Sequence, residues 1–574
     1  MYLPTSPQTS LLEPQCLIPG ILPDDDWSFT FRDKIWPLID ENQFKHLYQE
    51  ERGAPNKSIK LKVSLLIFMA LEKLNWRQVE FMFMRRLDWI NATYTVLGKA
   101  NLDHTTLFKF YQQLEEDPAA YQLFVDLTNA FIKECNVSTK KQRVDSFFML
   151  GWLATLSRYG LFKETIRVFL QALRKHKPGL YDEIKKELSR DYLKENFDLT
   201  EKDKEKTRVV IKEMAVDLYR LKSSFENHSQ IKHYETFRIL SQVFEQQCAI
   251  KTKPVEEEAH SNGLISGKED VVVPAEDTNG SGSSAHASLP EIEIREKPEG
   301  EKIISTPHNT DAEYTRKRKQ TVVGHKGFVA ETCDPDNAVQ FITDANLEAA
   351  TFADANEITN IVERLEESSL APETLYGDAG FVNGTSILDC AERGIDLAGP
   401  SSGRSQSFEG FLSEDRPFDV NDFTIKIDDE TKELSVISCP QQHAVLDQQR
   451  SDKTGRMLVH FSNDICKACS SQGRCPVKIG AQTSTLDVSE AQYAGAARHH
   501  KYMGDVEYRK ECGIRAGAES LMNEIANRHG ARQSKHKTEL RSRLQLLFAC
   551  IGCNVKRYLR YTQSCVQNQA ELAI

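Results

Sequence analysis

No apolar run in this 574-residue chain approaches the roughly 20 residues needed to cross a bilayer. Ser64 to Leu71 is typical of the longest, so no membrane-spanning helix is expected. The opening Met1-Tyr2-Leu3-Pro4-Thr5 lacks the basic region and apolar core of a secretory signal. With no export signal, the thirteen cysteines point to reduced thiols, and clustered ones to metal binding before disulfides. Together these absences place the protein in the cytoplasm. Positive charge is also short, with a net charge of −11 that argues at first against a polyanionic partner. Whole-chain charge decides little, because binding depends on the field at one face.

What is present is ordinary for a water-soluble chain: 40% hydrophobic and 27% charged residues, with length for roughly two to four domains. The acids crowd the middle, where Lys251 to Glu301 holds twelve of them. From Ile525 to Arg560 there are nine Lys and Arg against the single acid Glu539, a local balance of +8. A block that basic suggests a polyanion contact; a solvated helical face is the plainer alternative.

Residues 1–57 read as an irregular arm. Residues 58–135 carry helical periodicity, with Leu61, Leu65, Phe68, Met69 and Leu71 followed by Val79, Phe83, Met84 and Leu87. Asp103-His104-Thr105-Thr106 then starts another helix with Asp103 as its N-cap. A helix-turn-helix unit and a plain helical bundle fit this pattern equally. Residues 140–250 begin with a strand, Arg143 to Leu150, and continue as a long charged helical stretch. Residues 251–305 are acidic and rich in Gly, Ser and Pro, the composition of a flexible linker. Strand signals resume over 306–400, at Thr321 to Glu331, at Val339 to Asp344 and before Asp378, with a helix at Ala355 to Glu367. That is the element order of an RNase H-like α/β domain. It is interrupted by an insertion at 401–495 and closed by a helical part at 496–574.

Three acids stand out in their contexts: Asp145 in Arg143-Val144-Asp145-Ser146, Asp378 in Gly377-Asp378-Ala379-Gly380, and Glu519 in Arg515-Ala516-Gly517-Ala518-Glu519. Folded together, three carboxylates can hold two divalent cations against one phosphodiester. Each acid alone would read as an ordinary strand-end, turn or helix-surface acid. Cys439, Cys466, Cys469 and Cys475 fall within 37 residues, and Cys466-Lys467-Ala468-Cys469 is a C-x2-C pair. Four thiolates from two turns suit a closed structural zinc site, with His443 as a possible substitute ligand. A turn without metal is the alternative. Cys550 and Cys553 read as core thiols.

With these residues in view, the chain resembles the DDE transposases of bacterial insertion sequences. It is closest to the branch with an N-terminal helical domain and a cysteine-bearing insertion before the final Glu. The likeness runs from about Gly53 to Tyr561. It rests on Asp103 to Thr106, Val144-Asp145-Ser146, Phe237 to Leu240 with Val243 to Gln247, and Asp311 to Tyr314. Further matches are Gly324-His325-Lys326, Glu331 to Asn337, Gly377 to Gly380, the cysteine cluster, and Arg515 to Glu519 through His529-Gly530-Ala531-Arg532. Three positions depart from the pattern. Phe147 to Trp152 is apolar where polar residues are usual, Cys512 replaces a Tyr with Tyr508 nearby, and Ala526 replaces a Lys.

The resemblance implies a metal-dependent enzyme that cleaves DNA and transfers strands at the ends of its insertion sequence. It implies Asp145, Asp378 and Glu519 as catalytic Mg2+ or Mn2+ ligands, and double-stranded DNA as partner of a nucleoid-associated homodimer. A catalytically inactive DNA-binding derivative and an RNase H-like nuclease that only hydrolyses are the alternatives. Arg515, Arg528, Arg532, Lys535, Lys537, Arg541 and Arg543 are expected to contact DNA. Arg515 is expected one helical turn before Glu519 on the same face.

Overall fold

The computed structural model describes residues 2–5, 11–49, 55–152, 156–194, 204–251, 290–300, 302–317, 320–401, 407–428, 433–451 and 453–572. It forms two compact units, one of residues 1–152 with 311–574 and the other of residues 153–310.

The larger unit begins with short helical turns where an irregular arm is expected. Trp27–Thr30 runs straight into Phe31–Ile35 and Trp36–Leu38. Apolar residues in this stretch come in short clusters, and Phe31, Ile35, Trp36, Ile39 and Phe44 are all buried. Helix α1 (Ile59–Leu71) starts at Ser58, whose Oγ accepts from the Leu61 N–H at 3.1 Å. It is apolar nearly all round and lies inside the core, as such a helix must. Helix α2 (Trp76–Phe83) is opened by a capping box of Asn75 and Gln78. Helix α3 (His104–Gln113) is opened by Asp103, whose Oδ1 accepts from the Thr105 N–H at 2.7 Å. Helix α4 (Ala119–Glu134) follows.

The central sheet has six strands: β1 (Lys141–Leu150), β2 (Glu313–Lys317), β3 (Gln320–Thr332), β4 (Ile342–Ala349), β5 (Thr374–Tyr376) and β6 (Asp396–Ala398). β3 runs antiparallel between β1 on one side and both β2 and β4 on the other. β5 and β6 continue from β1 in parallel. Helices α5 (Asp354–Glu367) and α6 (Gly384–Glu392) join these strands. Helix α7 (Gly517–Arg528) and the long α8 (Glu539–Leu572) close the unit.

Alternation along β1 divides its side chains between two cores. Val144 joins Phe328, Ile358, Ile361 and Phe381 beneath α5. Met149 and Phe147 join the core made by α1, α3, α4 and α8. The apolar tail of β1 is therefore explained by burial. Gly327 makes room for it, since a Cβ there would lie 2.8 Å from the Phe147 ring. The insertion has its own core of Val436, Val459, Phe461, Leu486 and Val488, spread over a two-stranded and a four-stranded sheet.

The smaller unit packs helices Arg158–His176, Lys204–Phe225 and Glu235–Gln247 around Phe162, Phe169, Leu218, Leu221, Leu240 and Val243. Most of the expected linker lies outside the described residues, but its C-terminal end does not. Glu291–Ile294 pairs antiparallel with Cys248–Lys251, and Ile292 and Ile294 rest on the helical core. Alternating Glu and Ile make one apolar edge, enough for a ribbon in a segment expected to be loose.

A buried ionic knot ties α4, α5 and β4 together. Arg364 bridges Asp344 and Glu357 at 2.8 Å each, both carboxylates are fully buried, and Tyr121 donates to Asp344 at 2.8 Å. Replacing Arg364 leaves two buried acids without their cation, which typically costs about 3–5 kcal/mol. Arg364→Met should therefore lower the chemical-unfolding midpoint far more than Arg393→Met, whose two acid partners are much more exposed. Equal shifts for the two variants would contradict the buried knot.

Candidate active site

Two of the three acids are set by the same strand pair. Arg143 on β1 lies opposite Tyr376 on β5, the last register pair between them. Asp145 and Asp378 each stand two residues beyond it, Asp145 still within β1 and Asp378 just past the end of β5. Both are half-buried. Asp145 Oδ1 accepts from the Ser146 N–H at 2.8 Å, and Asp378 Oδ1 accepts from the Gly380 N–H at 2.7 Å. Glu519 lies in the first turn of α7, exposed, on a helix that packs against β1.

The seat of α7 is electrostatic. Glu331 on β3 is paired in register with Arg143, and its side chain is 1% exposed. Arg143 Nε donates to Glu331 Oε2 at 2.8 Å, while Nη1 donates to the Ile514 carbonyl at 3.0 Å, just ahead of α7. Arg557 on α8 takes the other oxygen of Glu331 and also holds Glu524 on α7 at 3.0 Å. Gly517 permits this, because a Cβ there would sit 1.9 Å from Arg143 Nη1. Glu524 is held well below the usual carboxylate range, first by the hydrogen bond with His529 and then by Arg557 and Lys556.

A fourth acid, not singled out from sequence, stands beside Asp378. A Cβ on Gly380 would lie 2.8 Å from Asp354 Oδ2 and 2.9 Å from Asp378 Oδ1, so both carboxylates close on this glycine. Lys326 pairs with Asp354 at 3.2 Å and donates to the Phe352 carbonyl at 2.5 Å. The faint signal was Asp354 at the start of a helix shortly before Asp378.

Among the described residues, three groups bring three possible ligand atoms within 4.8 Å of one another: Glu524–His529–Cys553, Glu80–Asp103–His104 and Asp419–Asp422–His500. Neither Asp145, Asp378 and Glu519 nor the four cysteines of the insertion are among these groups. Each compact group already contains ionic partners: Arg557 and Lys556 on Glu524, His104 on Glu80, Arg416 on Asp422 and His500 on Asp419.

Two family models match the chain. Residues 438–559 match a transposase DDE domain, and residues 21–113 match a transposase domain (DUF772). Both matched segments belong to transposase families, and together they support an insertion-sequence DDE transposase. Searches of curated proteins and of solved structures returned no match. The DDE match contains Glu519 and the four cysteines; Asp145 and Asp378 lie upstream of it.

The basic block after Glu519 divides. Arg528, Arg532, Lys535 and Lys537 are exposed, though the Lys535 ammonium is turned onto the Leu74 carbonyl at 3.0 Å. Burial at that end lowers the Lys535 pKa. Arg541 and Arg543, expected on phosphates, are engaged within the protein. Arg541 pairs with Glu115, and Arg543 with Glu539 at 3.1 Å and the Leu347 carbonyl at 2.9 Å. The cause is that α8 carries them against α3 and β4. Arg515 is not on α7 itself but in the 3-10 helical turn Gly513–Ala516 that runs directly into it. Tyr508 places a buried ring beside Cys512, and its hydroxyl accepts from Arg498 Nη1 at 2.6 Å.

The four cysteines Cys439, Cys466, Cys469 and Cys475 line one small cavity of about 30 Å3, with His443 at its wall. Burial raises the pKa of Cys466 and Cys475, with the neighbouring thiols adding to it. Cys550 and Cys553 are buried in α8, as expected of core thiols.

His536 is buried and stacked on Tyr111, ring centroids 5.1 Å apart. Burial first, then Arg541 and Lys535, lower its pKa to about 4. The neutral form is thus favoured on folding. Its contribution is complete above the unfolded value of about 6.5 and lost as pH falls toward 4, by up to about 1.4 kcal/mol per unit. Stability measured from pH 7 to 4 should fall on this account, and His536→Gln should flatten that part of the curve. An unchanged slope would show that His536 does not titrate in the folded protein.

Proposed function

We propose that Asp145, Asp378 and Glu519 hold two divalent cations, Mg2+ or Mn2+, and that the transposase uses them for DNA cleavage and strand transfer at the ends of its element. The observation that carries this is the matched position of Asp145 on β1 and Asp378 just past the end of the adjacent parallel strand β5, with α7 docked on β1. An antiparallel β4–β3–β1 run continued in parallel by β5 and β6 supports an RNase H-like core.

The donor set fits the ions. All three groups are carboxylates, the hard oxygen ligands such cations prefer, and an open arrangement suits ions that retain waters and accept substrate oxygens. When bound, the ions activate the attacking water or 3′-hydroxyl and stabilise the leaving oxygen. Asp145, central in the sheet, would contribute to both positions, with Asp378 and Glu519 completing one each. The Arg143–Glu331–Arg557–Glu524 network fixes α7, and so carries Glu519 toward the strand ends. Lys326 and Asp354 brace the turn that presents Asp378. Arg515, Arg528, Arg532 and Lys537 would contact phosphates, which raises affinity without selecting sequence.

The cysteine cavity offers four soft donors on two turns, the ligand type of a structural zinc ion that would secure the insertion and would draw together sulfurs of which no three lie within 4.8 Å of one another. Purified protein should then carry about one zinc per chain, and Cys466→Ser should lose it and destabilise the insertion. Zinc-free wild-type protein of full stability would end this assignment.

Cleavage of end DNA should require Mg2+ or Mn2+ and fail with Ca2+. Asp378→Asn should abolish cleavage while binding ends as the wild type does, and 3′-joined products should distinguish strand transfer from hydrolysis alone. An Asp378→Asn protein that nicks at the wild-type rate would refute the proposed role.

A further inference from the structure

A cleft of about 410 Å3 opens between α2, α3, the end of β1 and the segment leading into α8, with none of the three acids in its lining. Its size lies within the roughly 300–1,000 Å3 of sites for small planar ligands. Three of its walls are aromatic: Trp76, Phe108 and Trp152. The Trp76 and Phe108 rings meet edge to face at 5.1 Å, which holds both rigid. Trp152 is 36% exposed, an unusual placement for so large an apolar ring. Lys537 lies over the Trp152 ring at 5.1 Å and is itself exposed. Lys535 and Arg541 complete a cationic rim. Arg541 is balanced by Glu115 and Lys535 is turned onto the Leu74 carbonyl, so Lys537 is the rim cation best placed to meet an incoming phosphate.

Resting on the transposase reading above, we propose that this cleft binds an unpaired nucleotide of the DNA being processed, its base stacked against Trp152 and its phosphate met by Lys537. Flat aromatic faces beside a cation recognise single-stranded nucleic acid, because every base offers a π-face once it leaves the duplex. A paired base has its faces covered and cannot enter. The position relative to the acids is also suitable. Trp152 follows Asp145 by seven residues on the same strand and its exit, at most about 23 Å away at ~3.3 Å per residue. That is roughly seven base-pair rises of 3.4 Å, so one DNA end reaches both.

The test compares binding of an oligothymidylate of about ten nucleotides with that of the same backbone lacking bases, by fluorescence anisotropy without added metal. The wild-type protein should prefer the base-bearing strand by roughly 5- to 150-fold, the range of one stacked base. Trp152→Ala should lose most of that preference with little change toward the abasic strand, and Trp152→Phe should restore it. Lys537→Ala should weaken both strands alike and reduce the salt slope by about 0.7. Full preference in Trp152→Ala, or none in the wild type, would overturn the proposal. Loss of metal-dependent cleavage by the wild type would instead count against the catalytic reading, and the binding comparison would be unaffected by it.

Discussion

Glu331 is the residue on which the arrangement of the larger unit depends. Buried to 1%, it needs cations, and it draws Arg143 from the neighbouring strand and Arg557 from the last helix. Each arginine has capacity left over and extends the link. Arg143 binds the Ile514 carbonyl, and Arg557 binds the Gln340 carbonyl and Glu524. β1, β3, α7 and α8 are thereby held in one geometry. Charged groups buried in this way contribute little net stability but penalise every alternative packing, because each alternative would strand a charge. A helix bearing an exposed acid at its first turn, as α7 bears Glu519, takes its orientation from such a constraint.

The sheet supplies the second constraint. β1 is central, flanked by β3 and β5, and packed on both faces. Its polar N-terminal half carries Arg143 and Asp145, while its tail from Phe147 to Leu150 serves packing. The tail also extends the sheet to the chain after α7: the Leu150 N–H donates to the Arg532 carbonyl at 3.0 Å, and the Ser534 N–H to the Leu150 carbonyl at 2.7 Å. The basic segment is therefore stitched to the strand that bears Asp145. This accounts for exposed Arg532 and Lys537 lying on the same body as the acids despite a net charge of −11.

Much of this was legible in the amino-acid order. The Arg143 to Leu150 strand announced itself by apolar residues on both sides of Asp145, and the α3 start by an Asp at the N-cap. The ordered acids pointed to the transposase class, which the family matches at 21–113 and 438–559 support independently of Asp145 and Asp378. The first 57 residues misled because their apolar residues come in short clusters without a sustained period, and only contact with α1 orders them into helical turns. Arg541 and Arg543 misled because charge along a helix says nothing of which acids a neighbouring element will present.

By itself the sequence determined local things: caps, strand polarity, the identity of the hard and soft ligand sets, and the order in which the three acids occur. These depend on neighbours a few residues apart, where backbone geometry is nearly fixed. Only the tertiary structure decided which charges remain available and which are neutralised. It set Asp354 beside Asp378, gathered four cysteines around one cavity, and brought Trp152 into a cleft with Trp76 and Phe108. Those outcomes depend on pairings hundreds of residues apart, and on the cost of burying a charge without its partner, a quantity no local pattern encodes.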